Sequence, residues 1–199
     1  MEYENITEVI TNNRKGSILE ITLHKVTFKE LWDKYPSDKV KHINIKTKED
    51  EFGNHCAINV SESLYQNGIK LKSFKGAKCY HKCPTGKNIH AIRAQELANW
   101  LKKRPFAGCP KPEIYTGEIY EEKVKDKTGI ILFKDYWQRN GEIGNTRTGD
   151  HIDLWNENEL ASIGVVATWV RSTFSEFSEN WLDMSDLKKS KKVLFWEIK

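Results

Sequence analysis

The sequence predicts an α+β domain on three observations. Apolar residues recur at helical spacing in the first half, short alternating or continuous apolar runs fill the second, and 199 residues suit one substantial core. The segment Thr27–Tyr35 reads as a capped helix, with Thr27 at the N-cap, Glu30 three residues on, and Phe28, Leu31, Trp32 and Tyr35 on one side. Pro36 ends it. A second helix lies within Gly53–Gly68, where Ala57, Val60, Ser61 and Leu64 share a face and Asn67-Gly68 supplies the stop. A third runs from about His90 to Lys103, with Ile92, Leu97, Trp100 and Leu101 as its buried side, before Pro105, Pro110 and Pro112.

Strands are expected at Gly129–Phe133 from a continuous apolar run, at His151–Trp155 from alternation, and at Val193–Ile198; Ile18–Leu23 is a further candidate. Residues 76–86 and 134–150 are rich in turn formers and read as loops. There is no internal repeat, so residues 1–199 read as a single domain, with a flexible lead-in to about Lys15.

Hydrophobic residues at 38%, with 7 Trp, are enough to fill a core, which excludes a disordered chain despite 30% charged residues. The net charge of +4 is spread rather than concentrated and implies neither nucleic acid nor cell wall as a partner. No apolar run approaches the roughly 20 residues of a membrane-spanning helix. The start, MEYENITEVITNN, lacks the order of a signal peptide. Synthesis in the cytoplasm without a signal peptide is therefore expected.

Cys56 is the candidate nucleophile. A thiol attacks as thiolate, and a helix start favours that form because its unpaired N–H groups carry about half a positive charge. The same groups can hold an oxyanion. Gly53-Asn54-His55 ahead of Cys56 lets backbone approach a ligand, which suits a nucleophile better than a core position. The base comes from His24, His42, His55, His81, His90 and His151. His55 is adjacent to Cys56, but neighbouring helical side chains diverge by about 100°. His151 opens a strand and is preferred. Asp153, two residues on, shares its face and is the candidate orienting acid, with Asn156, Glu157 and Glu159 as alternatives.

Two segments resemble a known family, the type VI secretion amidase effectors of the fourth class, in the NlpC-type branch of papain-like cysteine peptidases. Asn54-His-Cys-Ala-Ile-Asn-Val-Ser resembles its nucleophile helix and Gly149-Asp-His-Ile-Asp-Leu-Trp-Asn its histidine strand. Lys127–Lys134 resembles the strand before, and Ala91–Leu101 the intervening helix. The resemblance implies a papain-like fold, with the nucleophile helix packed on an antiparallel sheet. It further implies hydrolysis of the D-glutamyl–meso-diaminopimelate amide of peptidoglycan by Cys56 and His151, without cofactor. Delivery by the type VI apparatus to a rival's periplasm and a dedicated immunity protein are also implied. In relatives the third residue lies further along, at a place that falls near Ser162 here.

Three other readings compete. Cys79, Cys83, His90 and Cys109 suit a zinc site, a disulfide or unpaired thiols. Lysines around Trp137, Trp155 and Trp169 suit a nucleic-acid or protein binding module, although tryptophans so placed are more often core. An acyltransferase or transglutaminase-like enzyme would use the same Cys–His pair.

Overall fold

A computed structural model of the chain describes residue 15 and residues 24–80, 85–86, 88–138, 141–143, 146–162 and 187–199. The candidate strand Ile18–Leu23, the lead-in as far as residue 14, His81, Cys83 and Trp169 lie outside the described residues.

The first helix, α1, spans Phe28–Asp33. Its capping box is complete, since Thr27 accepts from the Glu30 backbone and the Glu30 carboxylate accepts from the Thr27 backbone. The second, α2, spans Cys56–Gln66 and buries Ala57, Val60, Ser61 and Leu64, the face its spacing predicts. Serines tie it to its neighbours: Ser63 Oγ donates to Leu31 O (2.6 Å), and Ser61 Oγ accepts from Ala91 N (3.1 Å).

The third helix, α3, spans Ala94–Leu101 and so starts later than the expected His90. Residues 90 and 91 instead pair across a loop: Cys79 N donates to His90 O (2.9 Å), and Lys78 and Ala91 form an antiparallel bridge. Apolar spacing extends through Ile92, but this pairing claims the backbone ahead of the helix.

The rest is a sheet. Strands β1 (Glu113–Tyr115), β2 (Thr128–Trp137), β3 (Gly149–Asn156), β4 (Glu159–Leu160) and β5 (Lys192–Glu197) form one antiparallel sheet in the order β1-β5-β2-β3-β4. A short helix, α4 (Tyr120–Val124), precedes β2; neither it nor β1 carries a periodic signal long enough to read. β2 runs four residues past its expected end at Phe133, through a register shift between Phe133 and Trp137. There Asp135 takes a left-handed φ of 54°, and its N–H is bound by Asp150 Oδ1 at 2.9 Å.

Both faces of the sheet are covered, which is why its central strand β2 reads as a continuous apolar run. Ile130, Leu132, Ile152, Leu154, Leu194 and Trp196 pack with α2 and α3 in one cluster. The alternate residues Ile131, Phe133, Trp155, Val193 and Phe195 pack with Tyr120 and Val124 in a second. The first cluster presses α2 onto β3, which brings the start of one to the start of the other.

Candidate active site

Cys56 opens α2, and its backbone N–H is received by Asn54 Oδ1 at 3.0 Å, an Asx turn that sets the chain's entry to the helix. The thiol is partly exposed. It faces a cleft of ≈ 720 Å³ whose walls include Asn54, Asn59, Trp137, His151 and Ser162. Helix capping and strand pairing thus bring together two residues 95 positions apart in sequence.

His151, with a 13% exposed side chain, lines the same cleft as the Cys56 thiol, close enough for the two to interact electrostatically, and its Nε2 lies 3.3 Å from Asp153 Oδ2. Burial by itself would lower the imidazole pKa. The hydrogen bond to Asp153, then the polar and charge interaction with Cys56 and the Asp153 charge, outweigh it and raise His151 to about 9.

Asp153 is fully buried. Besides His151 it accepts from Leu154 N (2.8 Å), Ser162 N (3.2 Å) and the Ser162 hydroxyl. The Tyr35 hydroxyl is buried within reach of Asp153 and Asn59 but aligned with neither well enough for a strict hydrogen bond. Burial, then the Asp153 charge, holds its ionisation well above the ordinary phenol range. Side chains two apart on a strand usually run parallel, yet here His151 and Asp153 meet. Of the alternatives, Asn156 Nδ2 donates to Glu159 Oε1 (3.3 Å), and Glu157 occupies a turn with φ 59°.

Among the described residues the other histidines serve elsewhere. His55 Nε2 sits 2.8 Å from Asp50 Oδ2, close enough for an ion pair but out of line for a hydrogen bond. Burial holds its pKa below the ordinary imidazole value, against the pull of Asp50. Asp50 in turn receives the backbone N–H groups of His42 (3.2 Å) and Phe52 (3.4 Å), bracing the strip ahead of the nucleophile.

Trp155 is core, its indole N–H bound to Val124 O (3.0 Å), whereas Trp137 lines the cleft. Gly149, paired with Trp137, must be glycine: a Cβ there would lie 2.2 Å from the indole Nε1.

The residues singled out for zinc separate. Cys109 is buried near Leu101 O (3.5 Å), and burial pushes its thiol up to about 12. Cys79 and His90 converge, and the third member of their group is His42, which no spacing marks because it comes from a distant strip. Cys79 and Cys109 are both free thiols.

Comparison with known proteins follows the same lines. The family model described as Tae4, type VI secretion system (T6SS) amidase effector protein 4, matches residues 52–196, a span that holds Cys56, His151 and Asp153. The crystal structure of the type VI effector Tae4 from Enterobacter cloacae superposes with a TM-score of 0.59 at 18% identity, covering 90% of this chain and 100% of that one. A search of curated proteins finds no match. With a family model spanning most of its length, the chain belongs to the Tae4 amidase effectors of type VI secretion, which cleave peptidoglycan.

Proposed function

We propose that Cys56, His151 and Asp153 are the nucleophile, the general base and acid, and the orienting carboxylate of this peptidoglycan amidase. The amide cleaved is that between D-glutamate and meso-diaminopimelate in stem peptides. The observation that carries the residue roles is the meeting, on one open cleft, of a half-buried thiol at a helix start and an imidazole backed by a buried carboxylate.

His151 accepts the Cys56 proton, a step worth about 10²- to 10⁴-fold in such reactions, and the thiolate adds to the amide carbonyl. With Nε2 turned to Asp153, Nδ1 is the ring nitrogen left for that proton. First-turn N–H groups of α2 receive the oxyanion. His151 then protonates the leaving amine of diaminopimelate, the C–N bond breaks, and water activated by His151 releases the acyl group and the thiol. Asp153, held by Ser162 and Leu154, keeps the imidazole in one tautomer. Ser162 stands near where relatives of the resembled family carry their third residue; its hydroxyl supports an acid supplied from within β3.

The reading treats residues 1–199 as one catalytic unit, supported by a single apolar cluster that joins Val26 to Ile198. Delivery into a target's periplasm and neutralisation by a cognate immunity protein complete it. Among the described residues no helix is long and apolar enough to cross a membrane.

The test is digestion of purified muropeptides with mass readout. Wild-type protein is expected to release fragments with a new diaminopimelate amine, and Cys56→Ala none. Cleavage elsewhere in the stem moves the specificity, transfer of the acyl group to an added amine in place of water makes it an acyltransferase, and an active Cys56→Ala ends the proposal.

A further inference from the structure

We propose that His42, Cys79 and His90 hold a zinc ion, with His42 Nε2, Cys79 Sγ and His90 Nδ1 as three of its four ligands. These atoms lie within 4.8 Å of one another, and all three residues are fully buried. His42 Nε2 is 3.2 Å from His90 Nδ1, which is 3.8 Å from Cys79 Sγ. Tetrahedral zinc, with bonds of about 2.0 Å to nitrogen and 2.3 Å to sulfur, separates two nitrogens by about 3.3 Å and a nitrogen from a sulfur by about 3.6 Å. The two spacings through His90 fall within a few tenths of an ångström of these, and the third is held below 4.8 Å. Two imidazoles and a thiolate are also the donor set zinc prefers.

The far sides of both rings point the same way. His42 Nδ1 meets Val40 O at 3.0 Å, and His90 Nε2 meets Glu62 Oε2 at 2.5 Å. A carbonyl and a carboxylate only accept, so each far nitrogen carries the proton and each near nitrogen of a neutral ring presents a lone pair. When both rings are neutral, two lone pairs then face each other at 3.2 Å, beside a sulfur that accepts the His90 backbone N–H at 3.4 Å. A proton on His90 Nδ1 relieves one of these contacts, whereas a divalent cation satisfies all three atoms. Histidines backed by a carboxylate and by a carbonyl are the usual outer shell of a zinc site. Glu62 is itself fixed, accepting from Thr85 Oγ1 (2.8 Å) and Gln66 Nε2 (2.6 Å).

The ligands tie separate pieces of chain together. Cys79 and His90 flank the base of one loop, His42 belongs to the strip braced through Asp50, and Glu62 stands on α2 behind Cys56. Such a clasp fixes the strip ahead of the nucleophile without touching the cleft.

The test uses the full chain, grown with zinc and purified without chelator. Mass spectrometry of the metal is expected to find stoichiometric zinc in wild type and in Cys56→Ala, and none in Cys79→Ser. Cobalt(II) exchanged for zinc is expected to show a thiolate charge-transfer band with the same pattern, lost also in His42→Ala. If Cys79→Ser does not fold, survival of the band in both Cys56→Ala and Cys109→Ser, and its loss in His42→Ala, decides. Metal-free wild type that gives no band with cobalt(II) overturns the proposal in favour of a proton on His90. Metal lost with Cys56→Ala overturns it in favour of the cleft.

Discussion

Two constellations of cysteine and histidine flank the same helix. At its start, Cys56 is partly exposed and has one imidazole within reach, His151, with a buried carboxylate behind it. Around Glu62, two turns along, Cys79 is sealed from solvent and has two imidazoles converging near it. Residue types barely differ, yet the chemistry does. A nucleophile needs an open side for substrate and a single proton partner that can take and return its proton. A ligand group needs closure and lone pairs in excess of protons. Exposure and proton count, rather than the presence of Cys and His, separate the two.

The sharpest way to break this contrast is to remove the proton partners. Cys56→Ala and His151→Ala are each expected to lower peptidoglycan hydrolysis by roughly 10⁴-fold or more while the circular dichroism spectrum stays native. Residual activity near wild type in either would place the chemistry elsewhere.

Asp153→Asn comes next, with a loss on the order of 10²- to 10⁴-fold in kcat, because the imidazole loses its tautomer control but not its position. A larger loss in Asn156→Ala or Glu157→Ala would transfer the orienting role to the turn after β3.

The third prediction concerns pH. His151 is raised to about 9, above the ordinary imidazole value, so the stabilisation it contributes is complete below about pH 6.5 and is lost as pH rises through about 9. Its size is on the order of 3 kcal/mol at most, since the shift is shared between coupled partners. Urea unfolding of wild type should show this decline, and Asp153→Asn should flatten it. A profile unchanged by that substitution would remove Asp153 as the source of the shift.

The smallest effect is at the other pole. Glu62→Gln is expected to weaken zinc binding by about 10- to 100-fold, read by competition with a chelator, with muropeptide cleavage at saturating zinc little changed. A fall in cleavage under those conditions would mean that the two constellations are coupled rather than independent.

How legible this was depends on how local each feature is. The Thr27–Glu30 box and the buried face of α2 repeat within a few residues and can be read directly, as can the apolar runs of β2, β3 and β5. Cys56 could be singled out from a local feature, the helix start, whereas the choice of His151 leaned on the whole segment Gly149–Asn156 that resembles a known family. The contact of Asp153 with His151 was not legible, since strand geometry alone sends the two side chains parallel. Three features depend on pairing across distance and leave little trace in sequence. These are the late start of α3, where Ala91 pairs with Lys78, the extension of β2 past Phe133 through Asp135, and the arrival of His42 beside His90 from 48 residues away.

The burial of Cys109 bears on how this enzyme can be handled. A thiol pushed up to about 12 is almost never ionised at neutral pH, and it is walled off from reagents as well. Cys79 is equally inaccessible. Among the described cysteines only Cys56 meets solvent, so a small alkylating agent at neutral pH should mark it first. With Cys83 replaced by serine, that makes the number of working enzyme molecules countable by covalent titration, and a peptidoglycan-stem mimic carrying the same warhead would turn that count into a selective inactivator.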